Sequence, residues 1–112
     1  MAKTLKGLKK KAWAVFSKWV RSRDKNICFT CGREASQAGH YIHGDAVDFV
    51  EDNIHAQCTR CNLYLHGNLG VYGEKLIRLI GQDRIDEIRR QKNSVKKYTR
   101  EELEGIIEKY AN

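Results

Sequence analysis

No proline occurs among the 112 residues, no apolar run approaches the length of a membrane span, and neither an internal repeat nor a low-complexity linker divides the chain. Without proline, the tight bend that closes Cys28-Phe29-Thr30-Cys31-Gly32 falls to Gly32, whose backbone can turn closely around an ion. Without a long apolar run there is no transmembrane helix and no membrane partner. The start, Met1-Ala2-Lys3-Thr4-Leu5-Lys6-Gly7, has neither the apolar stretch nor the cleavage site of a secretory signal, so a cytoplasmic protein is expected. The length fits a single domain, residues 1–112, with a core small enough to benefit from a metal or cross-link.

What is abundant is positive charge, and it is uneven. The net charge is +7; residues 1–25 hold nine Lys and Arg against one Asp, whereas residues 26–68 hold two Arg against five acids. A basic arm beside a mildly acidic centre suits a protein that grips a polyanion with one part and holds a cation in another. A solvated lysine face is the plainer reading of the same charges.

Leu5, Leu8, Ala12, Val15, Phe16, Trp19 and Val20 recur at helical spacing and predict an amphipathic helix over 5–22. Its basic residues Lys6, Lys9, Lys10, Lys11 and Lys18 fall largely off the apolar stripe, where they can meet phosphate; Arg60, Lys96 and Lys97 are further candidates. Trp13 and Trp19 read as core. From Gly39 to Gln57 the pattern predicts a short irregular hairpin turning near Gly44-Asp45, followed by a helix starting at the second cysteine pair. Leu76, Ile77, Leu79 and Ile80 mark a further helix, interrupted at Gly81 and resumed through Ile85 and Ile88. Thr99-Arg100-Glu101-Glu102 is a capping box opening a last helix, able to dock on the domain or on a second copy.

Cys28, Cys31, Cys58 and Cys61 form two C-x-x-C pairs with 26 residues between them, the pattern of a tetrahedral four-thiolate zinc site. Four protein ligands leave no open coordination position, so the zinc is expected to be structural. An iron site and a pair of disulfides are the rivals. A thioredoxin-like redox role lacks the surrounding βαβ pattern.

Polar residues crowd this knuckle. If Cys61 starts a helix, Asn62 and His66 share one face at i, i+4; in the strand before it Asn53, His55 and Gln57 share a face, and His40 on the facing strand meets both groups. His40, Asn53 and Asn62 in this order resemble the HNH, or ββα-metal, nucleases, and Cys-x-x-Cys-Asn at Cys58–Asn62 resembles the phage endonuclease VII junction resolvases. A further resemblance, over residues 8–90, is to the phage NinG (Rap) recombination family. It is carried by Phe16-Ser17-Lys18, Arg23-Asp24, Cys28-Phe29-Thr30-Cys31-Gly32, Ala38-Gly39-His40, Asn53–Cys58, Cys61-Asn62, Gly67-Asn68 and Tyr72.

These resemblances imply an α+β fold: a zinc-bound ββα-metal, treble-clef-like core (26–68) flanked by the basic helix (1–25) and a helical part (69–112). They imply a metal-dependent endonuclease acting on branched recombination DNA such as Holliday junctions or D-loops, in the host bacterial cytoplasm if phage-encoded. His40 would be the general base, Asn53 would orient its ring, and Mg²⁺ or Mn²⁺ would sit on Asn62 and His66. Gly39 departs from the wider pattern, in which the residue before the base is commonly a metal-binding Asp or His. His66 or His43 with waters, or the DNA phosphate itself, would then complete the ion's shell. His55 has two readings, a hydrogen bond within the hairpin or a contact to the scissile phosphate. Two-fold junctions suit a homodimer, expected through the helices after Tyr72. The competing function is a non-catalytic zinc-finger DNA-binding module.

Overall fold

The computed structural model describes residues 4–111; the first three residues of the basic segment and Asn112 lie outside the described residues. Helix α1 spans Leu5–Arg23 and opens on Thr4, whose hydroxyl accepts from the Gly7 N–H at 3.0 Å. Leu8, Ala12, Phe16 and Val20, four residues apart in series, are its buried stripe. A large apolar side chain sealed in this way contributes about 1.5–3 kcal/mol. The helix stops at Asp24, after which Lys25 and Asn26 take left-handed backbone, both at φ 57°.

Asp24 and Arg23 then brace the helix end to the sheet. The Asp24 carboxylate accepts from the Ala56 N–H at 2.8 Å, and Arg23 donates to the carbonyls of Glu51 at 2.9 Å and Ile54 at 2.7 Å. The sheet has two antiparallel strands, β1 (Gln37–His40) and β2 (Ile54–Gln57), paired from Gln37–Gln57 to His40–Ile54. The expected turn at Gly44-Asp45 is instead a 13-residue excursion, 41–53, containing 3₁₀ turns at Asp45–Val47 and Glu51–Asn53. One buried side chain fixes it: Asn53 accepts from the Ile42 N–H at 2.9 Å and donates to the carbonyls of Ile42 at 2.9 Å and Val47 at 3.2 Å.

The helix expected from the second cysteine pair is also corrected. A single π turn, Arg60–Tyr64, follows Cys58 and ends in left-handed His66, Gly67 and Asn68. The Gly67 N–H reaches back to the Cys61 carbonyl at 2.8 Å, so the chain reverses around the knuckle before α2 (Leu69–Ile80) begins. Gly81 at φ 87° separates α2 from α3 (Gln82–Lys92), as its sequence position predicts. Thr99 and Glu102 form the full capping box of α4 (Arg100–Tyr110).

Ile42, Val47, Tyr72, Leu76, Ile85 and Ile88 make one core between the 41–53 excursion and α2–α3. Phe16, Val20, Ala38, Ile54 and Tyr110 make another between α1, the sheet and α4. Helix α4 therefore docks on its own chain, with Leu103 against Leu8 and Ala12. Most of the apolar residues after Tyr72 that pointed to a dimer face are spent inside; Ile77 and Leu79 remain exposed. No helix among the described residues is long and apolar enough to cross a membrane.

Candidate metal knuckle and hairpin site

The four cysteine sulfurs lie within 4.8 Å of one another, with Cys31 and Cys58 Sγ 3.6 Å apart. Sulfurs bound tetrahedrally at about 2.3 Å from zinc stand roughly 3.8 Å apart, so the cluster needs only a small contraction of its wider separations to suit that ion. Burial works to raise the Cys28 thiol's pKa, but hydrogen bonds from the Thr30 hydroxyl and from backbone N–H groups outweigh it and hold Cys28 down at about 6. At Cys31 the Arg33 N–H pulls down, while burial and the neighbouring sulfurs push up to about 12. A cluster that resists losing its protons one after another is what a divalent cation relieves. These residues can hold a metal ion, in keeping with zinc.

Side chains alternate along β1, and its two faces hold different chemistry. Ala38 and His40 point toward α1. The His40 ring stacks on Trp13 (centroids 4.8 Å) and on His43 (5.0 Å), and its Nε2 lies 3.1 Å from Asp48 Oδ1. Lys9 Nζ bridges Asp48 and Asp45, each at 3.2 Å. Burial pushes the Asp48 carboxyl up, yet the hydrogen bonds and charges of His40 and Lys9 outweigh it and keep Asp48 below its ordinary range. His40 and Trp13 line an open cleft of about 610 Å³ whose other walls include Thr4, Lys6, Lys10 and Phe49.

Gln37 and Gly39 point the other way. Asn62 donates to Gln37 Oε1 at 2.7 Å, and a Cβ built on Gly39 would stand 1.8 Å from Gln57 Oε1 and 2.8 Å from Asn62 Oδ1. Gln57 is fully buried; its amide nitrogen donates to Thr30 at 3.2 Å and to the Gly67 carbonyl at 2.8 Å, while Oε1 has no donor. Leaving a buried acceptor unpaired costs on the order of 1–3 kcal/mol. Deeper on this face, His55 Nδ1 lies 3.1 Å from the Tyr72 hydroxyl, which donates to the Gly39 carbonyl at 2.8 Å. Burial, reinforced by the Arg23 charge, holds His55 at about 4, so it is neutral near pH 7.

Several expected juxtapositions therefore change. His40 does not meet Asn62, Gln57 and His55 across a shared face, because an odd number of residues separates it in register from that set. Asn53 holds the backbone of the 41–53 excursion and not the His40 ring. His66 is exposed beyond the π turn, so it shares no helix face with Asn62. His55 is buried on Phe29, and its hydrogen bond runs to Tyr72 of α2 and not to a partner within the hairpin. The lysines divide: Lys6 and Lys10 line the His40 cleft, Lys9 is ion-paired, and Lys11 lies beside Arg100, Glu104 and Glu108 of α4. Lys18, seven residues after Lys11, lies on the same side of the helix, and Arg60 is exposed on the π turn.

Asp48, Trp13 and Gln57 were not singled out from sequence. A carboxylate at position 48 carries no local pattern. Trp13 reads from the sequence only as a core residue. Only the alternation that groups Gln57 with His55 gave a signal.

Fold and cysteine cluster together define a small α+β protein in which a four-cysteine knuckle pins a two-stranded hairpin among helices. The chain belongs to the NinG family: the family described as Bacteriophage Lambda NinG protein matches residues 1–112. It is similar to protein ninG of Escherichia phage 933W (39% identical, over 90% of this chain and 53% of that protein). Protein ninG of Escherichia phage lambda is 38% identical over 90% of this chain and 52% of its own length. Protein ninG of Salmonella phage P22 is 36% identical over 90% and 53%. The chain thus spans about half the length of the curated relatives it matches. No solved structure matches it.

Proposed function

We propose that this chain is a metal-dependent DNA endonuclease of the ββα-metal (HNH) kind, hydrolysing phosphodiester bonds in branched recombination DNA. The observation that carries the reading is the His40–Asp48 pair, 3.1 Å apart, opening onto a cleft walled by Lys6 and Lys10. An ionised Asp48 only accepts hydrogen bonds, so His40 Nε2 carries the proton and Nδ1 keeps a lone pair. Nδ1 takes a proton from the attacking water, and Asp48 stabilises the imidazolium that results. Trp13 and His43, stacked on the ring, restrict its rotation. Asn53 is a positioning residue: by fixing the carbonyl of Val47 it sets where the adjacent Asp48 stands.

Gly39 and His40 are consecutive, with Cα atoms about 3.8 Å apart, but they face opposite sides of β1, so a phosphodiester attacked at His40 reaches the Asn62 side only by passing round the strand end. Asn62 on the Gly39 side is the candidate ligand for Mg²⁺ or Mn²⁺, which when bound neutralises charge on the phosphoryl group and the leaving 3′-oxygen. The zinc does no chemistry. Paired strands at a junction are met by two copies of the chain acting together.

The test is cleavage of labelled four-way, nicked and linear DNA by zinc-loaded protein with Mg²⁺ or Mn²⁺. His40→Ala is expected to lower the rate by about 10²-fold or more while leaving binding intact. Near-native cleavage by that variant overturns the assignment. Binding without cleavage on every substrate and with either ion favours the DNA-binding module instead.

A further inference from the structure

Trp13 reads as core from the sequence, but the structure leaves it half-buried on the wall of the cleft beside His40. The His40 ring covers one face of the indole, with centroids 4.8 Å apart and 15° between the planes. Phe16 and Phe49 meet the indole at 46° and 62°, from 6.0 and 6.2 Å, so neither is stacked on its second face. The cleft holds about 610 Å³, of the size that a small flat ligand fills, and most of its wall is carbon. Its charged groups are of two kinds. Asp48 is taken up by His40 and Lys9, whereas Lys6 and Lys10 have no ion-pair partner among the described residues. An apolar cleft with an aromatic wall and two unpaired cations fits a ligand that is flat and uncharged in one part and anionic on either side of it. A nucleotide within a strand has that form.

We infer that this cleft takes an unpaired DNA base, stacked on Trp13, with the flanking phosphates on Lys6 and Lys10. Stacking on an indole asks nothing of a base's hydrogen-bonding edge, so the cleft selects by structure and not by sequence. A base inside a duplex has first to be unpaired and unstacked, a cost that is smallest where the base is already single-stranded, as in a displaced strand, a bulge or a gap. The inference rests on DNA being the substrate of the site, and it gives the preference for branched DNA a physical origin, since the cleft responds to a missing base pair. Trp13 is then a specificity residue. Because it also stacks on His40, the captured nucleotide lies beside the general base.

The experiment compares the affinity of zinc-loaded protein, with no added Mg²⁺ or Mn²⁺, for two duplexes. One carries a single bulged thymine, and the other has an abasic residue in its place. The two have the same length and charge, so the phosphate contacts cancel in the ratio of affinities. Native protein is expected to prefer the base about tenfold. Trp13→Leu is expected to bring the ratio close to one, and Trp13→Phe, which keeps a smaller ring, to an intermediate value. Lost packing alone would weaken both duplexes and leave the ratio as it was; melting temperatures are measured alongside. One measurement needs no variant: 5-iodouracil at the bulged position, irradiated in the complex with native protein, is expected to cross-link to the peptide that carries Trp13.

Equal affinity of native protein for the two duplexes overturns the inference, as does the native ratio persisting in Trp13→Leu or a cross-link outside the cleft. A Trp13-dependent preference for the base with no cleavage of any DNA keeps the inference and removes the nuclease reading. Cleavage of branched DNA by native protein that binds the two duplexes alike does the reverse.

Discussion

The two faces of the hairpin solve the problem of burying polar groups in opposite ways. Toward α1, His40, Asp48, Lys9 and Asp45 form a chain in which each charge has a partner, set against Trp13. On the other face the groups are neutral, the pairing is by amide and hydroxyl hydrogen bonds, and one oxygen is left over. A charge network tolerates the partial exposure of the cleft, because an ion pair near water loses little solvation. Around His55 the opposite face is closed by Phe29 and Tyr72, where charge would be costly and neutral groups pair with one another.

The knuckle joins the two faces, so metal removal should have the largest effect on both. Apparent zinc-binding energies of about 10–16 kcal/mol in small folded units exceed what this core can lose. Chelation, or Cys58→Ser, is therefore expected to unfold the hairpin, read as loss of the cooperative melt and of near-ultraviolet dichroism. A metal-free chain that keeps its melt would break the link between knuckle and faces.

Acid should then separate the faces. His55 sits at about 4 in the folded protein against an ordinary value of 6.5. Between those values the unfolded chain binds the extra proton, so stability is full above pH 6.5 and falls as pH drops toward 4, by roughly 3 kcal/mol at most. Asp48 is also depressed, but from 3.8, so its contribution is intact through that window and fails only below it. Melting temperatures of native protein and His55→Gln across pH 7 to 4 check this. The variant's profile should be flatter, and parallel profiles would remove His55 as the source.

How far these faces could be read in advance differs by element. The cysteine spacing, the α1 stripe, the break at Gly81 and the capping box at Thr99 are local patterns, and local patterns carry their own physics. The π turn at Arg60–Tyr64 is a tertiary override, since the return of the Gly67 N–H to Cys61 ends what propensity would continue. His40 was placed with Asn62 because the strand register was unknown, and one residue of register moves a side chain to the other face. Asp48 is eight residues from His40 and reaches it only through an excursion that Asn53 holds from the inside. That is a long-range arrangement with no periodicity to announce it.

The smallest expected effect concerns the lysines, and it tests which face would meet DNA under the proposed function. Nine basic residues before position 26 looked like one phosphate-binding surface, but α1 distributes them around its circumference. Lys6 and Lys10 wall the cleft that His40 lines, whereas Lys11 lies beside Glu104 and Glu108 and Lys18 follows it on the same side. If the α1 face of the hairpin receives the phosphodiester, Lys6→Ala with Lys10→Ala should weaken binding on all DNA sequences. It should also lower the salt dependence by about two counterions, since each phosphate contact contributes close to one. Lys11→Ala with Lys18→Ala removes the same formal charge and should shift only the long-range attraction, leaving the slope nearly unchanged. Affinity measured over a series of salt concentrations separates the pairs. Equal slopes would mean that DNA responds to net charge alone and that the cleft is not its seat.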